Sequence, residues 1–214
     1  QLKKLGCSCD WSRNRFTMDK ELSETVTKTF VKLYKEKIIY KDTKLVNWDT
    51  KLETAISDLE VEQRDVQSNL YYIKYKIDKE NNFLTIATTR PETMLGDTAV
   101  AVNPDDERYK KYIGKKIIVP IVQRKVKIIA DQYVSIDQGS GVLKVTPAHD
   151  FNDFDIGKRH KLEFINIFEK NGKLNYSAPN NLVGLDRIEA RKKIVETLKE
   201  SNLLEKIESI KNSV

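Results

Sequence analysis

The sequence has few of the residues that build disulfide frameworks or metal centres. Its 214 residues include two cysteines, Cys7 and Cys9, and two histidines, His149 and His160. Structural zinc takes four ligands, which usually come from paired cysteine or histidine clusters. Here the cysteines form a single Cys-x-Cys pair, and both histidines lie far from it in the sequence. We therefore expect two reduced thiols and no metal site.

Long apolar runs are missing as well. No stretch is long enough to cross a bilayer, and the first residues lack the charged-then-apolar order of a signal peptide. We therefore expect a cytoplasmic protein without a membrane partner. The hydrophobic content of 39% is enough for one sizeable core. The start without methionine favours a fragment of a longer protein, and we expect this fragment to be monomeric.

Acidic residues are outnumbered by basic ones. Lysine and arginine together number 38 against 32 for aspartate and glutamate, which gives a formal net charge of +6. Such a surface favours polyanionic partners, although solvated lysine faces are common in globular proteins. The sequence also lacks a P-loop and a dinucleotide fingerprint, and Ser140 stands in Gly-Ser-Gly, which is not a nucleophile elbow. These absences argue against a nucleotide-binding fold and against a serine hydrolase.

Two polar stretches stand out against this background. The first, GSGVLKVTPAHDFND over 139–153, begins with two glycines and a strand-like apolar run that stops at Pro147. Asp150 and Asp153 follow in the first turn of a predicted helix that ends near His160, so both carboxylates can share one face. The simpler interpretation is that the two aspartates only cap the helix.

The second stretch, TTRPETMLGD over 88–97, directly follows a strand predicted over 83–87. Arg90 can hold a phosphate or a carboxylate through two parallel hydrogen bonds, and threonine hydroxyls both donate and accept. This chemistry suits a ligand that carries hydroxyls and a negatively charged backbone. The competing interpretation is a polar turn with a structural pairing of Arg90 and Glu92.

Short β-branched and aromatic runs separated by turn residues indicate a strand-rich core in the middle of the chain. Helical spacing predicts helices over 19–39 and 186–201, the second with Ile188, Val195 and Leu198 on its apolar face. The remaining predicted elements are strands over 70–77, 83–87, 98–102, 117–122, 125–129, 133–136 and 142–145, a short helix over 103–114, and a hairpin that turns at Asn171-Gly172.

Together the two polar stretches resemble the editing domain of the valyl-tRNA synthetases. TTRPETMLGDTAV and GSGVLKVTPAHDFNDFDIGKRH carry the likeness. NPDDERYKKYIGK, FINIFEKNGKLN, DWSRNRFTMD and LVNWDTKLETAISDLEVE extend it over nearly the whole chain. The related isoleucyl and leucyl enzymes lack the RPETMLGD continuation and the AHDxND arrangement, and they remain the near alternatives.

The resemblance implies a mixed α/β (α+β) fold, a strand-rich editing barrel with short peripheral helices and flanking helices. We place the editing domain at 61–176, between an N-terminal flank at 1–60 and a C-terminal helical flank at 177–214. HIGH-like and KMSKS-like motifs are absent, so ATP and Mg are expected in an aminoacylation domain of the parent enzyme that this chain lacks. Editing itself is expected to need no cofactor.

The same resemblance implies roles for the site residues. Asp153 would pair with the α-ammonium of an aminoacyl ester and Asp150 would hold its hydroxyl, or the two roles could be exchanged. Lys144 and Thr146 would lie near the ester and the terminal ribose. The residues expected to bind the substrate or the tRNA end are Thr88, Thr89, Arg90, Glu92, Thr93, Gln138 and His149.

The implied reaction is hydrolysis of threonyl-tRNA(Val) by water, assisted by a hydroxyl of the terminal ribose. The implied partners are the acceptor end of tRNA(Val) and threonine. We interpret His149 as a structural hydrogen bonder ahead of a catalytic base. Two alternatives stay open. One is a tRNA-binding insertion without hydrolysis, favoured by Gln138, where an aromatic platform for adenine is expected. The other is a metal hydrolase built on His149, Asp150 and Asp153.

Overall fold

The computed structural model describes residues 1–213, which divide into two compact units with a boundary after Lys44. The first unit contains a 3-10 helix, Trp11–Arg13, and helix α1, Lys20–Lys35. Asp19 precedes α1 as predicted, and none of the side chains of α1 is buried. Among the described residues, no helix is both long and apolar enough to cross a membrane.

The second unit is built mainly from strands, with helices and short 3-10 helices between them. Its strands are β1 Asn47–Asp49, β2 Thr54–Ile56, β3 Asp65–Ile77, β4 Phe83–Thr88, β5 Ala99–Val102, β6 Lys116–Ile118, β7 Lys125–Ala130, β8 Val142–Val145 and β9 Leu204–Ser213. Its helices are α2 Phe151–His160 and α3 Arg187–Glu200, and its 3-10 helices are Asp58–Glu60, Pro91–Gly96 and Lys110–Tyr112.

One seven-stranded sheet organises the second unit. Its strands follow the order β4-β3-β6-β7-β5-β8, and β9 pairs with β3 beside that path. All neighbours are antiparallel except β5 and β7. The edge strands β4 and β8 approach each other, so the sheet is nearly closed into a barrel. The predicted hairpins β3–β4 and β6–β7 are confirmed, and so is the expected strand-rich α+β fold.

Apolar side chains that alternate along β3 form the centre of the core. Ile73, Tyr75 and Ile77 are fully buried, as the two-residue period of a strand predicts. Strand β5 differs, because all of its residues, Ala-Val-Ala-Val, are buried. Its valines join the main core, and its alanines belong to a second cluster that includes Ile156 of α2. The small alanine side chains leave room for α2 on this face.

The prediction of a short helix over 103–114 is wrong. The segment consists of turns that lead into the 3-10 helix at Lys110–Tyr112. Asn103 accepts the amide hydrogen of Asp105 through its Oδ1, at 2.9 Å. Such side-chain to backbone hydrogen bonds favour turns over helix, so most of this segment remains a loop.

The strand predicted over 133–136 is also wrong, because this segment bends. The buried carboxylate of Asp131 accepts the amide hydrogen of Tyr133 at 2.9 Å, and it also binds Arg159 and His160 of α2. These contacts turn the chain away from the sheet. They bring Tyr133 to the cleft described below.

The C-terminal segment, expected as a helical flank, packs as part of the second unit. Helix α3 begins after Asp186 as predicted, but its buried face consists of Ala190, Ile194 and Leu198, while Ile188 is 46% exposed. Strand β9, which the sequence patterns did not predict, pairs with β3 along most of its length. The segment therefore completes the sheet.

Candidate functional site

A cleft of about 570 Å³ opens where β4 and β8 end. The segment 88–93 forms one wall, and the segment 144–153 forms another. These two segments are in contact, because Arg90 Nη1 donates a hydrogen bond to the backbone oxygen of His149 at 3.0 Å. The sequence-predicted residues that line the cleft are Thr88, Thr89, Arg90, Thr93, Gln138, Lys144, Thr146, His149, Asp150 and Asp153.

Asp150 is the N-cap residue of α2. Its Oδ1 accepts hydrogen bonds from the amides of Asn152 and Asp153, at 2.9 and 3.1 Å. The interpretation of this aspartate as a helix cap is therefore confirmed. The residue is exposed at the mouth of the cleft. Its Oδ2 has no hydrogen-bond partner in the described part of the chain, so this oxygen can accept a hydrogen bond from a ligand.

Asp153 lies three residues further along the chain in a different environment. It is 5% exposed, and its Oδ2 accepts the amide hydrogen of Thr146 at 2.8 Å. Burial raises the pKa of Asp153 to about 6, against the opposing effects of Lys144 and the Thr146 amide. The carboxylate is therefore anionic at neutral pH. A buried anion that lines a cleft is suited to a cationic ligand group.

Lys144 and Thr146 connect the cleft to a carboxylate behind it. Lys144 Nζ donates to Thr146 Oγ1 at 2.7 Å, and Thr146 Oγ1 donates to Asp97 Oδ1 at 2.6 Å. Asp97 is fully buried, and its Oδ2 accepts the hydroxyl hydrogen of Tyr75 at 2.8 Å. Burial raises the pKa of Asp97, and Lys144 is the largest opposing influence. Sequence reasoning missed both Asp97 and Tyr75.

His149 lines the cleft but is engaged in holding the fold. Its Nε2 accepts the amide hydrogen of Ile167 at 3.0 Å, and its ring stands edge-on to Phe168 with centroids 4.9 Å apart. Burial lowers the pKa of His149 to about 3, with further contributions from Arg90 and Lys144. The imidazole is neutral at physiological pH, and the nitrogen that could accept a proton is already occupied. The geometry favours the structural interpretation of this histidine.

Glu92 differs from the other sequence-predicted site residues because it does not line the cleft. Its buried carboxylate accepts two hydrogen bonds from Arg191 of α3, both at 2.7 Å. Arg90 Nε is more distant, at 3.8 Å. The bidentate pair joins α3 to the 3-10 helix Pro91–Gly96. Glu92 thus has a structural role, and its main partner is Arg191. The predicted pairing with Arg90 is the more distant of the two contacts.

Threonine hydroxyls shape the backbone that carries Arg90. Thr88 Oγ1 accepts the amide hydrogen of Arg90 at 3.1 Å, and Thr93 Oγ1 donates to the Arg90 carbonyl at 2.9 Å. Both threonines are buried, whereas the arginine is exposed. The loop therefore presents a guanidinium to solvent from a backbone that is fixed by local hydrogen bonds.

The cleft contains residues that sequence reasoning missed. Tyr133 is 53% exposed and lines the cleft within the electrostatic reach of both carboxylates. Ile210 and Asn212 of β9 also line it. No sequence signal pointed to the last two, because β9 itself was not predicted. Tyr133 was visible as an aromatic residue, but it was assigned to a strand.

Gly139 allows the wall of the cleft to form. Its φ is +60°, and a Cβ at this position would lie 3.0 Å from Cβ of Ala87 on β4. Both observations favour glycine. The segment before β8 can therefore approach β4 closely.

The lining of the cleft has an exposed part and a buried part. We call the exposed residues Arg90, Tyr133 and Asp150 the rim, and the buried residues Lys144 and Asp153 the floor. The floor carries one cation and one carboxylate. Within residues 1–213, no group of three or more His, Cys, Asp or Glu side chains is arranged to hold a metal ion. The expectation that the site works without a metal or cofactor remains a prediction.

The sequence of this chain matches a known protein family. The family model of class I tRNA synthetases (I, L, M and V) matches residues 1–207. Since this match covers almost the whole sequence, the chain belongs to the class I tRNA synthetase family.

Curated relatives narrow the match to valine-tRNA ligases. The valine-tRNA ligase of Pelagibacter ubique is 62% identical over 214 residues, which is 100% of this chain and 24% of that protein. The enzymes of Mesorhizobium japonicum (53% over 238 residues) and Staphylococcus aureus MRSA252 (55% over 214 residues) also match 100% of this chain, and 26% and 24% of their own lengths. The chain therefore spans about a quarter of these relatives. The resemblance to the valyl-tRNA synthetases is confirmed.

A solved structure supports the fold. The LeuRS in the LeuRS-tRNA-LeuAMS ternary complex of Agrobacterium radiobacter K84 agnB2 matches 99% of this chain and 35% of its own, with a TM-score of 0.54. Sequence identity is only 16%, so this likeness shows the fold alone.

Proposed function

We propose that this chain is the editing domain of a valine-tRNA ligase and that it hydrolyses the ester of mischarged threonyl-tRNA(Val), releasing threonine and tRNA. The observation that carries the proposal is the buried carboxylate of Asp153 on the floor of the cleft, with Lys144 beside it. An aminoacyl ester differs from most cellular esters in its free α-ammonium. A desolvated carboxylate binds such a group through a charge-assisted hydrogen bond.

Selection of threonine over valine requires a group that recognises a hydroxyl. For valyl-tRNA synthetases it is established that a hydrophobic pocket disfavours threonine by only about a hundredfold. A site that binds the hydroxyl leaves its own polar groups unpaired when valine enters, at about 1–3 kcal/mol for each buried group. We assign hydroxyl recognition to Asp150, because its Oδ2 is not used in capping α2. Asp150 is exposed in the free domain, so the penalty for an unpaired group applies once the bound aminoacyl-tRNA end covers this carboxylate.

The ester would lie on the floor between Asp153 and Lys144. A water molecule attacks the carbonyl carbon, a hydroxyl of the terminal ribose assists, and the Lys144 ammonium stabilises the negative charge that develops on the carbonyl oxygen. We assign no nucleophilic role to Thr146, because its side chain is buried and its oxygen already accepts a hydrogen bond from Lys144. His149 is not the base, because its Nε2 is occupied by the Ile167 amide.

The terminal adenosine would lie against the rim. The exposed guanidinium of Arg90 suits a phosphate or ribose oxygen near the 3′ end of the tRNA. Tyr133 offers an aromatic face for a base, while Gln138 occupies the position where such a platform was expected. Thr89 also lines the cleft and can form a further hydrogen bond to the substrate.

Valine activation is assigned to the rest of the full-length ligase, which we expect to bind ATP and Mg there. The described residues contain no cluster that suits a metal, and the HIGH-like and KMSKS-like motifs are absent from this sequence. We further propose that the ligase acts in the cytoplasm and that this domain is monomeric.

One other function has a specific observation in its favour. Gln138 stands where an aromatic residue was expected, which is consistent with a domain that guides the acceptor end of the tRNA without hydrolysing an ester. The buried carboxylate of Asp153 argues against this alternative, because binding of a tRNA phosphate backbone is weakened by a nearby anion.

The test is a deacylation assay with the full-length ligase that contains this chain. The substrates are threonyl-tRNA(Val) and valyl-tRNA(Val), with and without a chelator. We expect preferential hydrolysis of the threonyl ester and no effect of the chelator. Equal or absent hydrolysis of both esters would contradict the proposal, and loss of activity in the chelator would favour a metal hydrolase.

A further inference from the structure

We infer that Asp97, held by Tyr75, is a positioning residue for ester hydrolysis: its buried carboxylate fixes Thr146 and, through it, the ammonium of Lys144 in the cleft. The inference rests on the proposed editing function. Neither Asp97 nor Tyr75 lines the cleft. Their effect on the reaction must therefore pass through the residues that do.

The hydrogen bonds of this network run in one direction. A lysine ammonium can only donate, so in the Lys144–Thr146 bond of 2.7 Å the threonine oxygen is the acceptor. The threonine hydroxyl then has one hydrogen left to donate, and it goes to Asp97 Oδ1 at 2.6 Å. The hydroxyl of Tyr75 occupies the other carboxylate oxygen at 2.8 Å. Each side chain of the network therefore has one hydrogen-bonding orientation.

Burial makes this arrangement rigid. Asp97, Thr146 and Tyr75 are fully buried, and Lys144 is nearly so. A buried carboxylate is unfavourable unless cations and donors surround it. Asp97 Oδ1 lies 3.7 Å from Lys144 Nζ, and Arg124 donates to the backbone oxygen of Asp97 at 3.0 Å. The carboxylate thus stabilises the ammonium at one position on the floor.

The network also fixes what each residue can contribute to the reaction. One hydrogen of the Lys144 ammonium is used by Thr146, so two remain for the substrate. The hydroxyl hydrogen of Thr146 is committed to Asp97 and is not available to the ester. Thr146 therefore orients Lys144, and Lys144 is the donor that meets the carbonyl oxygen.

The test compares variants of the full-length ligase. Asp97→Asn keeps the shape of the side chain but removes its charge, Thr146→Val removes the link, and Thr146→Ser preserves it. Tyr75→Phe removes one hydroxyl from the network. Tyr72→Phe is the matched control, because Tyr72 lies on the same strand and donates to Glu208 at 2.8 Å outside the cleft. The kcat and KM for hydrolysis of threonyl-tRNA(Val) and the rate of valine activation are measured for each protein.

We expect Asp97→Asn and Thr146→Val each to lower kcat by about tenfold to a hundredfold, the size of a lost hydrogen bond to a charged group, with KM nearly unchanged. The Asp97→Asn/Thr146→Val double variant should be no slower than the slower single variant, because both changes break one path. Thr146→Ser should retain most of the activity. Tyr75→Phe should lower kcat by about threefold to tenfold, while Tyr72→Phe should not.

Several results would overturn the inference. Native kcat in Asp97→Asn or in Tyr75→Phe would do so, and so would additive losses in the double variant or equal losses in Tyr75→Phe and Tyr72→Phe. If Asp97→Asn does not fold, the comparison of Tyr75→Phe with Tyr72→Phe decides alone. Absence of threonyl ester hydrolysis in the native ligase would contradict the proposed function itself. If only the positioning role of Asp97 is wrong, the native ligase still hydrolyses the threonyl ester.

Discussion

The rim and the floor of the cleft carry aspartates that stand three residues apart, yet the two environments differ. Asp150 on the rim is exposed and caps α2. Asp153 on the floor is buried, and burial raises its pKa to about 6. The same type of side chain therefore caps a helix on the rim and is a desolvated anion on the floor. Environment, more than residue type, therefore distinguishes the two carboxylates of this cleft.

The difference has an energetic consequence. A charge-assisted hydrogen bond to a buried group is worth about 1.5–3 kcal/mol, whereas an exposed polar contact contributes much less because water competes for it. Changes on the floor should therefore affect the chemistry of hydrolysis. Changes on the rim should affect binding and the stability of the helix.

The pH dependence of hydrolysis should separate the two carboxylates most strongly. Asp153 must be anionic to bind an ammonium, and its pKa is about 6. The rate should rise with pH up to about 6 and then level off, falling about tenfold for each unit below that value. Single-turnover deacylation at a series of pH values measures this limb. Asp150→Asn should lower its midpoint only slightly, because the Asp150 charge is a lesser cause of the raised pKa of Asp153 than burial is. A flat profile through pH 6 would contradict the assignment.

Stability should depend on pH in the opposite sense. The pKa of Asp153 is raised from 3.8 to about 6 in the folded protein, so the folded state binds this proton more tightly than the unfolded chain does. The contribution of Asp153 to stability is present below about pH 4 and is lost as the pH rises to about 6. Asp153→Asn should remove this component. Thermal unfolding of both proteins at pH 4 and pH 7 tests it, and an equal change in Tm for the two proteins would argue against it.

On the rim, Asp150→Ala and Asp150→Asn should lower hydrolysis of the threonyl ester by about tenfold, because each removes a charged partner of the hydroxyl. Only the alanine variant should also lose the cap of α2, at about 1 kcal/mol of stability, since asparagine caps as well as aspartate. Deacylation rates and chemical unfolding of the two variants provide the comparison. Equal destabilisation by both substitutions would mean that the charge matters to the helix beyond its cap.

The smallest effect is expected at Tyr133. Tyr133→Ala should raise the KM for aminoacyl-tRNA by about fivefold with little change in kcat, because a stacked base loses about 1 kcal/mol or more without its aromatic partner. Tyr133→Phe keeps the ring and should behave like the native protein. A fall in kcat for the phenylalanine variant would instead assign the hydroxyl a role near the ester.

Sequence patterns were sufficient for the parts of the molecule that local interactions decide. The cap at Asp150, the start of α3 at Asp186 and the hairpin of β3 and β4 all follow from residues close in the chain. The contact between segments 88–93 and 144–153 was also within reach, because each segment follows a strand and carries complementary polar groups.

The remaining features depend on partners far away in the sequence. Glu92 was expected in the site, but its carboxylate meets Arg191, which lies 99 positions further along the chain. Asp97 binds Thr146 at a separation of 49 positions, and β9 pairs with β3 from the other end of the unit. No local pattern encodes such pairings, because they depend on how the whole sheet closes.

The central claim is that Asp153 anchors the α-ammonium of a threonyl ester, and it is tested most directly by Asp153→Ala and Asp153→Asn in the full-length ligase. Deacylation of threonyl-tRNA(Val) and valine-dependent pyrophosphate exchange are measured on the same preparations. A variant that keeps pyrophosphate exchange is folded, so its loss of deacylation is not caused by misfolding. We predict that both variants lose deacylation and keep exchange, and that asparagine behaves like alanine because the charge is what matters. Near-native deacylation by both variants would contradict the claim and transfer the anchoring role to Asp150.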